Sequence, residues 1–458
     1  MAIASVNPAT GQEVARFDEH TPDEVSALLD RAVAGYAKWR AAGFAERGAV
    51  LKAAADLAIE RRDELAGLMT LEMGKLIGEA RVEVDMSADV MRYFAEHAEG
   101  MVTTEPFQSS LGKAVVRHLP IGVLLGIQPW NFPMFQVVRF TVPNLMLGNA
   151  VACKHSSNMP QFAIAMEKLF RDAGAPDGVY VNLLISGERA SALLDDPRIA
   201  GASLTGSERA GASLATAAGR NLKKCVLELG GSDPMVVLAD ADFDHAVSSA
   251  IAARILNAGQ ECISPKRIIV ERPIYDRFVA AFVDGVTALR IGDPTDPDSQ
   301  MGPVVSEKAA EQLKDQIDQA VSGGARILAG GNRIDRPGAW LEPTVLVDVG
   351  PDNPVYREEI FGPVAVLAVA EDADDAIRLA NDTPFGLGAS VYSSNLEHAG
   401  EVAGRIDAGM VFVNQPTNAA PDLPFGGVKR SGFGRELARF GMDEFCNRKL
   451  VVVGEGKA

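Results

Sequence analysis

The spacing of apolar and polar residues changes along the chain and divides it. Thr21-Pro22-Asp23-Glu24 reads as a helix start, with a capping residue, a proline in the first turn and two acids. Val25, Leu28, Leu29, Ala32, Val33 and Tyr36 follow at helical spacing. Two more helical runs are predicted over about 44–66 and 79–99, and the period then shortens to strands at 114–118 and 121–127. Apolar strands near 148–153, 181–185, 199–204 and 224–229 alternate with helices near 160–173, 187–194 and 207–219. A second series places strands near 234–238, 266–271, 363–369, 388–392 and 410–413, with helices near 242–257, 273–288, 373–381 and 395–405. Strand-helix-strand alternation of this kind predicts two α/β units, each a parallel sheet faced by helices. Their junction is expected at Gly230-Gly231, where two glycines free the chain of side-chain constraint.

Length and charge narrow the picture. A chain of 458 residues exceeds one ordinary core. With 44 basic against 61 acidic side chains the formal charge is -17, which repels phosphate backbones and anionic lipid, so neither nucleic acid nor membrane is expected as a partner. The uncharged stretch 119–138 carries Pro120, Pro129, Pro133, Asn131 and two glutamines, a mixture that a lipid-facing helix excludes; it is expected to be buried and irregular. Four cysteines make no disulfide framework, and none has metal-ligand spacing; Cys153 and Cys225 read as buried strand residues. Met1 to Phe17 has no basic start followed by an apolar run, so a cytoplasmic protein without a secretory leader is expected.

Four features carry candidate chemistry, each with a plainer alternative. Cys262 follows the polar break Asn257-Ala258-Gly259-Gln260-Glu261 and is either a small buried residue or a nucleophile on a loop. Glu228 ends an apolar strand and is either ion-paired or a general base with a raised pKa. Pro129-Trp130-Asn131-Phe132-Pro133 is an aromatic turn, or it holds the Asn131 amide stiffly enough to bind an oxyanion. Gly206-Ser207 opens a helix, as a cap or as a pyrophosphate site built from free backbone N–H groups.

Taken together with Glu359-Ile360-Phe361-Gly362-Pro363 and Pro424-Phe425-Gly426-Gly427, the ordered set Gln128 to Pro133, Glu228 to Gly231 and Gly259 to Cys262 resembles the aldehyde dehydrogenase superfamily, over nearly the whole chain. Within it, the chain is similar to the short NADP-type succinate-semialdehyde dehydrogenases. The resemblance implies an α/β fold of two Rossmann-like domains plus a small β oligomerisation element. The cofactor-binding domain would be 1–100 with 120–229, the catalytic domain 230–425, and the oligomerisation element 101–119 with 430–458, giving a homodimer or homotetramer. It implies that Cys262 attacks an aldehyde, that Asn131 and the Cys262 backbone N–H hold the oxyanion, and that Glu228 activates the water that releases the acid. It places Trp130, Lys154, Gly206, Ser207, Leu229, Glu359 and Phe361 around a nicotinamide cofactor, and implies no metal.

Two positions refine the expectation. Many relatives carry a glutamate that accepts the ribose 2′-hydroxyl where this chain has Ser157, three residues after Lys154; a serine beside a lysine accepts a 2′-phosphate, so NADP is expected, with tolerance of NAD as the alternative. Arg139, eight residues after Asn131 and on what the resemblance implies is a helix entering the substrate channel, holds the place of the arginine that binds the distal carboxylate in succinate-semialdehyde dehydrogenases; the alternative is a structural ion pair with no substrate contact. Against the carboxylate reading, Leu256 and Ala419-Ala420 stand where larger relatives have a second arginine and a serine. The rival functions are oxidation of uncharged aldehydes, a coenzyme A-acylating dehydrogenase, a cysteine hydrolase and an inactive binding protein. Glu228 argues against the second, and six histidines without a base motif argue against the third.

Overall fold

In a computed structural model, which describes residues 2–454, Thr21 caps the helix Pro22–Trp39. Glu24 N donates to the Thr21 hydroxyl at 3.2 Å and Thr21 N donates to Glu24 Oε2 at 2.7 Å, a reciprocal capping box. The single helical run predicted over 44–66 is two helices, Phe44–Glu60 and Arg62–Met73. Arg61 leaves helical geometry (φ -97°, ψ 19°) and pairs with Asp172 at 2.8 Å, a tertiary contact that no glycine or proline announces. The helix Ile77–Met101 follows.

The two α/β units are present as two sheets. The first has the spatial order Gly432–Phe433, Lys224–Glu228, Ile199–Thr205, Val123–Ile127, Ala150–Lys154, Tyr180–Asn182, parallel except for its first strand. The second runs Arg326–Ala329, Thr344–Val347, Val364–Ala370, Pro265–Glu271, Asp233–Val237, Gly388–Tyr392, Met410–Val413, again parallel except for its first strand. Lys224–Glu228 and Asp233–Val237 belong to different sheets, so the chain crosses between them through Gly230-Gly231. A third, antiparallel sheet sets Cys446–Val453 on Lys113–Pro120, which pairs with Glu105–Phe107. This arrangement is the aldehyde dehydrogenase-like architecture that the resemblance implies.

Several elements depart from the pattern. The stretch 119–138 is buried, as expected, but its second half enters a regular helix, Phe135–Leu147, in which all 13 residues are buried. A helix buried on every face has no amphipathic period to read. Its Val137, Phe140 and Met146 share one core with Leu51, Met91 and Phe94 of the N-terminal helices, each such side chain contributing about 1.5–3 kcal/mol. Between 289 and 362, where the alternation predicts nothing, lie the helix Glu307–Ser322, capped by Ser306, and the strands Arg326–Ala329 and Thr344–Val347. The chain opens on a hairpin, Ala2–Asn7 with Gln12–Asp18. Cys225 is half-buried, since its strand lies next to the sheet edge, whereas Cys153 is fully enclosed. Among the described residues no helix is long and apolar enough to cross a membrane.

Candidate active site

The helix Phe243–Ile255 ends in three consecutive left-handed residues, Asn257 (φ 52°), Ala258 (φ 53°) and Gly259 (φ 72°). At Gly259 a Cβ would overlap the carbonyl of Gly362, so only glycine lets the Gly-Gln-Glu-Cys loop lie against the Phe361-Gly362-Pro363 segment. Buried Arg254 fastens the same two segments, donating to the carbonyls of Val364 (2.9 Å) and Gly362 and to the Ser264 hydroxyl. The loop is also tied to the asparagine turn. Asn257 Nδ2 donates to Asn131 O at 2.9 Å, and Asn131 Nδ2 donates to Gln260 O at 3.1 Å. An amide nitrogen carries two hydrogens, so the bond to Gln260 O uses one of the two on Asn131 Nδ2.

Cys262 itself is half-buried, at the wall of a cavity of about 40 Å³ also lined by Phe135, Gln136, Arg139, Glu261, Ala419 and Phe425. Burial pushes its thiol up to about 12, while Arg139 and Lys266 pull it down. Glu228 is buried with neither carboxylate oxygen hydrogen-bonded, which holds its carboxyl well above the usual range; Arg139 and Arg435 oppose this and Glu436 and Glu444 reinforce it. Its place depends on Gly426, where a Cβ would stand 2.6 Å from Glu228 Oε1. Burial therefore works against the charged form of both the Cys262 thiol and the Glu228 carboxyl.

Arg139 is ion-paired and also faces the cavity of Cys262. Its Nε donates to Glu436 Oε2 at 2.5 Å, its guanidinium stacks on Phe425 at 4.0 Å, and it lines the cavity of Cys262. Burial works against the charge, but Glu436 and Glu228 more than restore it. Glu436 also accepts from Ser203 Oγ at 2.9 Å. The segment 430–436, which the resemblance gives to the oligomerisation element, is thus built into this site. Gly432–Phe433 pairs with Leu227-Glu228, and Ser431 Oγ donates to Gly230 O at 2.7 Å.

The candidate cofactor residues fall in two places. Trp130, Glu359 and Phe361 line a cavity of about 460 Å³ with Gln260 and the helix Glu307–Ser322, Trp130 meeting Phe361 edge-on at 5.8 Å. A Cβ at Gly230 would overlap the Glu359 carboxylate, and Gly231 N donates to Glu359 Oε1 at 3.0 Å. The paired glycines therefore make room for Glu359 and the Cys262 loop; neither adopts positive φ. At the other place Lys154 Nζ lies 3.4 Å from the Ser157 hydroxyl, and Ser157 is exposed. A Cβ at Gly206 would meet Leu204 Cδ2 at 3.6 Å, an ordinary contact, and Ser207 caps the helix Glu208–Arg220 by accepting from Ala210 N at 3.4 Å. The capping reading of Ser207 holds, and Arg430 pairs with Glu208 in the first turn of the helix. Leu229 packs under this helix against Gly211. These residues fit a dinucleotide: a polar pair at one end, an open helix start, and a carboxylate between aromatics at the other end.

The chain belongs to the aldehyde dehydrogenase family, whose model matches residues 1–451. It is 50% identical over 449 residues to the NADP(+) succinate-semialdehyde dehydrogenase of Deinococcus radiodurans, covering 98% of this chain and 94% of that one. A Mycobacterium tuberculosis protein of the same description is 46% identical across 99% of this chain and 100% of its own. Among solved structures, the succinic semialdehyde dehydrogenase of Streptococcus pyogenes in complex with NADP+ superposes with a TM-score of 0.97 at 40% identity, covering 99% and 100% of the two chains.

The pattern missed Glu436, Arg254 and Lys266. Each had a faint signal. Glu436 closes Gly434-Arg435-Glu436, Arg254 is a lone charge in an apolar helical run, and Lys266 precedes Arg267 at the start of a strand, Pro265–Glu271, with an apolar centre.

Proposed function

We propose that this chain oxidises succinic semialdehyde to succinate with NADP as hydride acceptor. The observation that carries the reading is the convergence of Cys262 with the buried cation Arg139 on one small cavity, next to the unpartnered carboxyl of Glu228. The relatives' descriptions support the substrate and cofactor. In this reading the Cys262 sulfur adds to the aldehyde carbon while Arg139 meets the distal carboxylate. Asn131 Nδ2 and the Cys262 N–H hold the oxyanion. NADP, held by Lys154 and Ser157 at the 2′-phosphate, Gly206, Ser207 and Leu229 along its middle, and Trp130, Glu359 and Phe361 at the nicotinamide end, supplies the hydride acceptor. Glu228 takes a proton from the water that opens the resulting thioester. A small cavity of about 40 Å³ beside a cation favours a short, anionic aldehyde over a long apolar one.

Arg139 is shared with Glu436, so its charge toward substrate is partly spent, and carboxylate affinity should be modest. Initial rates with succinic semialdehyde and with hexanal, each with NADP and NAD, test the reading. A kcat/KM for the first pairing at least about tenfold above every other, some 1.4 kcal/mol, supports it; parity with hexanal sinks it. Arg139→Leu should selectively lower the semialdehyde rate.

We assign the six-stranded sheet to cofactor binding and the seven-stranded sheet to catalysis. We also infer a homodimer or homotetramer: Cys446–Val453 is an edge strand with Leu450 and Val453 exposed, a surface that needs cover. A cytoplasmic location suits its four free cysteines. Light scattering on the purified protein measures the oligomer.

A further inference from the structure

Lys266 lies four residues beyond Cys262, at the start of the strand Pro265–Glu271, and is buried to 2% exposure. Its ammonium donates to the backbone carbonyls of Glu261 and of Cys262, both at 2.7 Å. It also stands 3.5 Å from Glu359 Oε1, near the Phe361 ring. An ammonium has three hydrogens, and a buried one must place all of them. Here two go to the loop of the nucleophile and the third faces the carboxylate read above as a cofactor contact. Glu359 has little freedom to turn elsewhere: it is pressed against Gly230 and accepts from Gly231 N at 3.0 Å. One cation thus joins two parts of the site that are remote in sequence.

We propose that Lys266 is a positioning residue that couples occupation of the cofactor end at Glu359 to the reactivity of Cys262. With Glu359 unliganded, the ammonium is shared between that carboxylate and the loop. When hydroxyl donors of a ribose take up the Glu359 carboxylate, its hold on Lys266 weakens and the positive charge acts more fully on the loop and the thiolate. The charged groups around Cys262 are Arg139, Lys266, Glu261 and Asp233, and those around Glu359 include Lys266 and Arg254. Lys266 is the cation common to both sets that also bonds to the loop backbone and to the carboxylate. The inference rests on the reading of Glu359 as a cofactor contact and of Cys262 as the nucleophile.

The test is alkylation of Cys262 by iodoacetamide, followed by peptide mass spectrometry across pH, with and without NADP+. It needs no turnover. In Lys266→Met and in Lys266→Gln, whose amide still donates to carbonyls but carries no charge, the apparent thiol pKa of the free protein should rise by about one unit, with alkylation about tenfold slower at fixed pH below it. NADP+ should shift the profile of the wild type and leave that of both variants where it was. Glu359→Gln should likewise lose the NADP+ response. An unchanged profile for Lys266→Gln, or a full NADP+ response in either lysine variant, overturns the proposal. If neither lysine variant folds, a full NADP+ response in Glu359→Gln overturns it and loss of that response supports it. Continued aldehyde turnover by Cys262→Ala would instead sink the functional reading beneath.

Discussion

Ser157→Glu should invert the cofactor preference. Ser157 sits on an exposed turn between the strand Ala150–Lys154 and the helix Pro160–Asp172, its hydroxyl 3.4 Å from the Lys154 ammonium. A glutamate there reaches Lys154 and neutralises it, and sets a negative charge where the 2′-phosphate should lie. Losing one charge-assisted hydrogen bond costs about 1.5–3 kcal/mol. Two like charges about 4 Å apart repel by about 1 kcal/mol in water and about 4 at a protein surface, and Ser157 is on the wet side of that range. The two effects overlap, so about 3 kcal/mol is a fair sum, or about 150-fold in kcat/KM for NADP. For NAD the carboxylate gains the ribose 2′-hydroxyl, worth about 1 kcal/mol or about fivefold. The NADP-to-NAD ratio should therefore fall by roughly three orders of magnitude, and by less at high salt, because the site is exposed. Initial rates at subsaturating cofactor, read from the absorbance of reduced nicotinamide, measure this directly. A change in kcat/KM for NADP below about fivefold, or one confined to the aldehyde KM, would refute the placement of the 2′-phosphate between Lys154 and Ser157.

Other consequences follow from the same geometry. Glu228→Gln should give a burst of about one reduced cofactor per site and then stall, with kcat down by about 10²–10⁴, since the thioester forms but no base activates water; stopped-flow absorbance separates the phases. Because burial raises the Glu228 pKa, its basic form is lost as pH falls through a value above the usual carboxylate range, so wild-type kcat should climb with pH beyond that range. His155, buried against the Tyr180 hydroxyl at 2.7 Å, is lowered by burial and then by Lys154 from its ordinary 6.5 to about 3. Between these values the unfolded chain binds a proton that the folded one refuses. Stability is therefore complete above about pH 6.5 and lost as pH falls, by about 2 kcal/mol at pH 5; denaturant unfolding of wild type against His155→Gln would show it, and equal pH slopes would count against it. Gly259→Ala forces a Cβ onto the Gly362 carbonyl at φ 72°, and should cost about 1–3 kcal/mol of stability while slowing Cys262 alkylation, checked by melting and mass spectrometry.

Much of this protein is local and therefore legible. The helix start at Thr21 to Glu24 and the strand-helix alternation are set by neighbours in sequence, so they can be read from it. So can the candidacy of Cys262, Asn131 and Glu228, because their surrounding motifs come in a specific order. What the tertiary structure decided involves residues far apart in the chain. The helix Phe135–Leu147 was expected around Arg139 only through the resemblance, because burial on all sides erases the period that marks a helix. Gly230-Gly231 looked like a point of backbone freedom, but Gly230 is a space for the carboxylate of Glu359, as Gly426 is for that of Glu228. Arg139 could be read as an anchor or as half of an ion pair, and only the arrival of Glu436 from 297 residues away supplies the pair. Lys266 carried no motif at all; its meaning lies in three acceptors brought together by the loop before it and by a carboxylate from the segment beyond. Sequence fixes which groups are available and the short-range geometry that a few dihedrals set. Charge compensation and close packing act through space, so which groups share a buried charge is settled only when the two sheets meet.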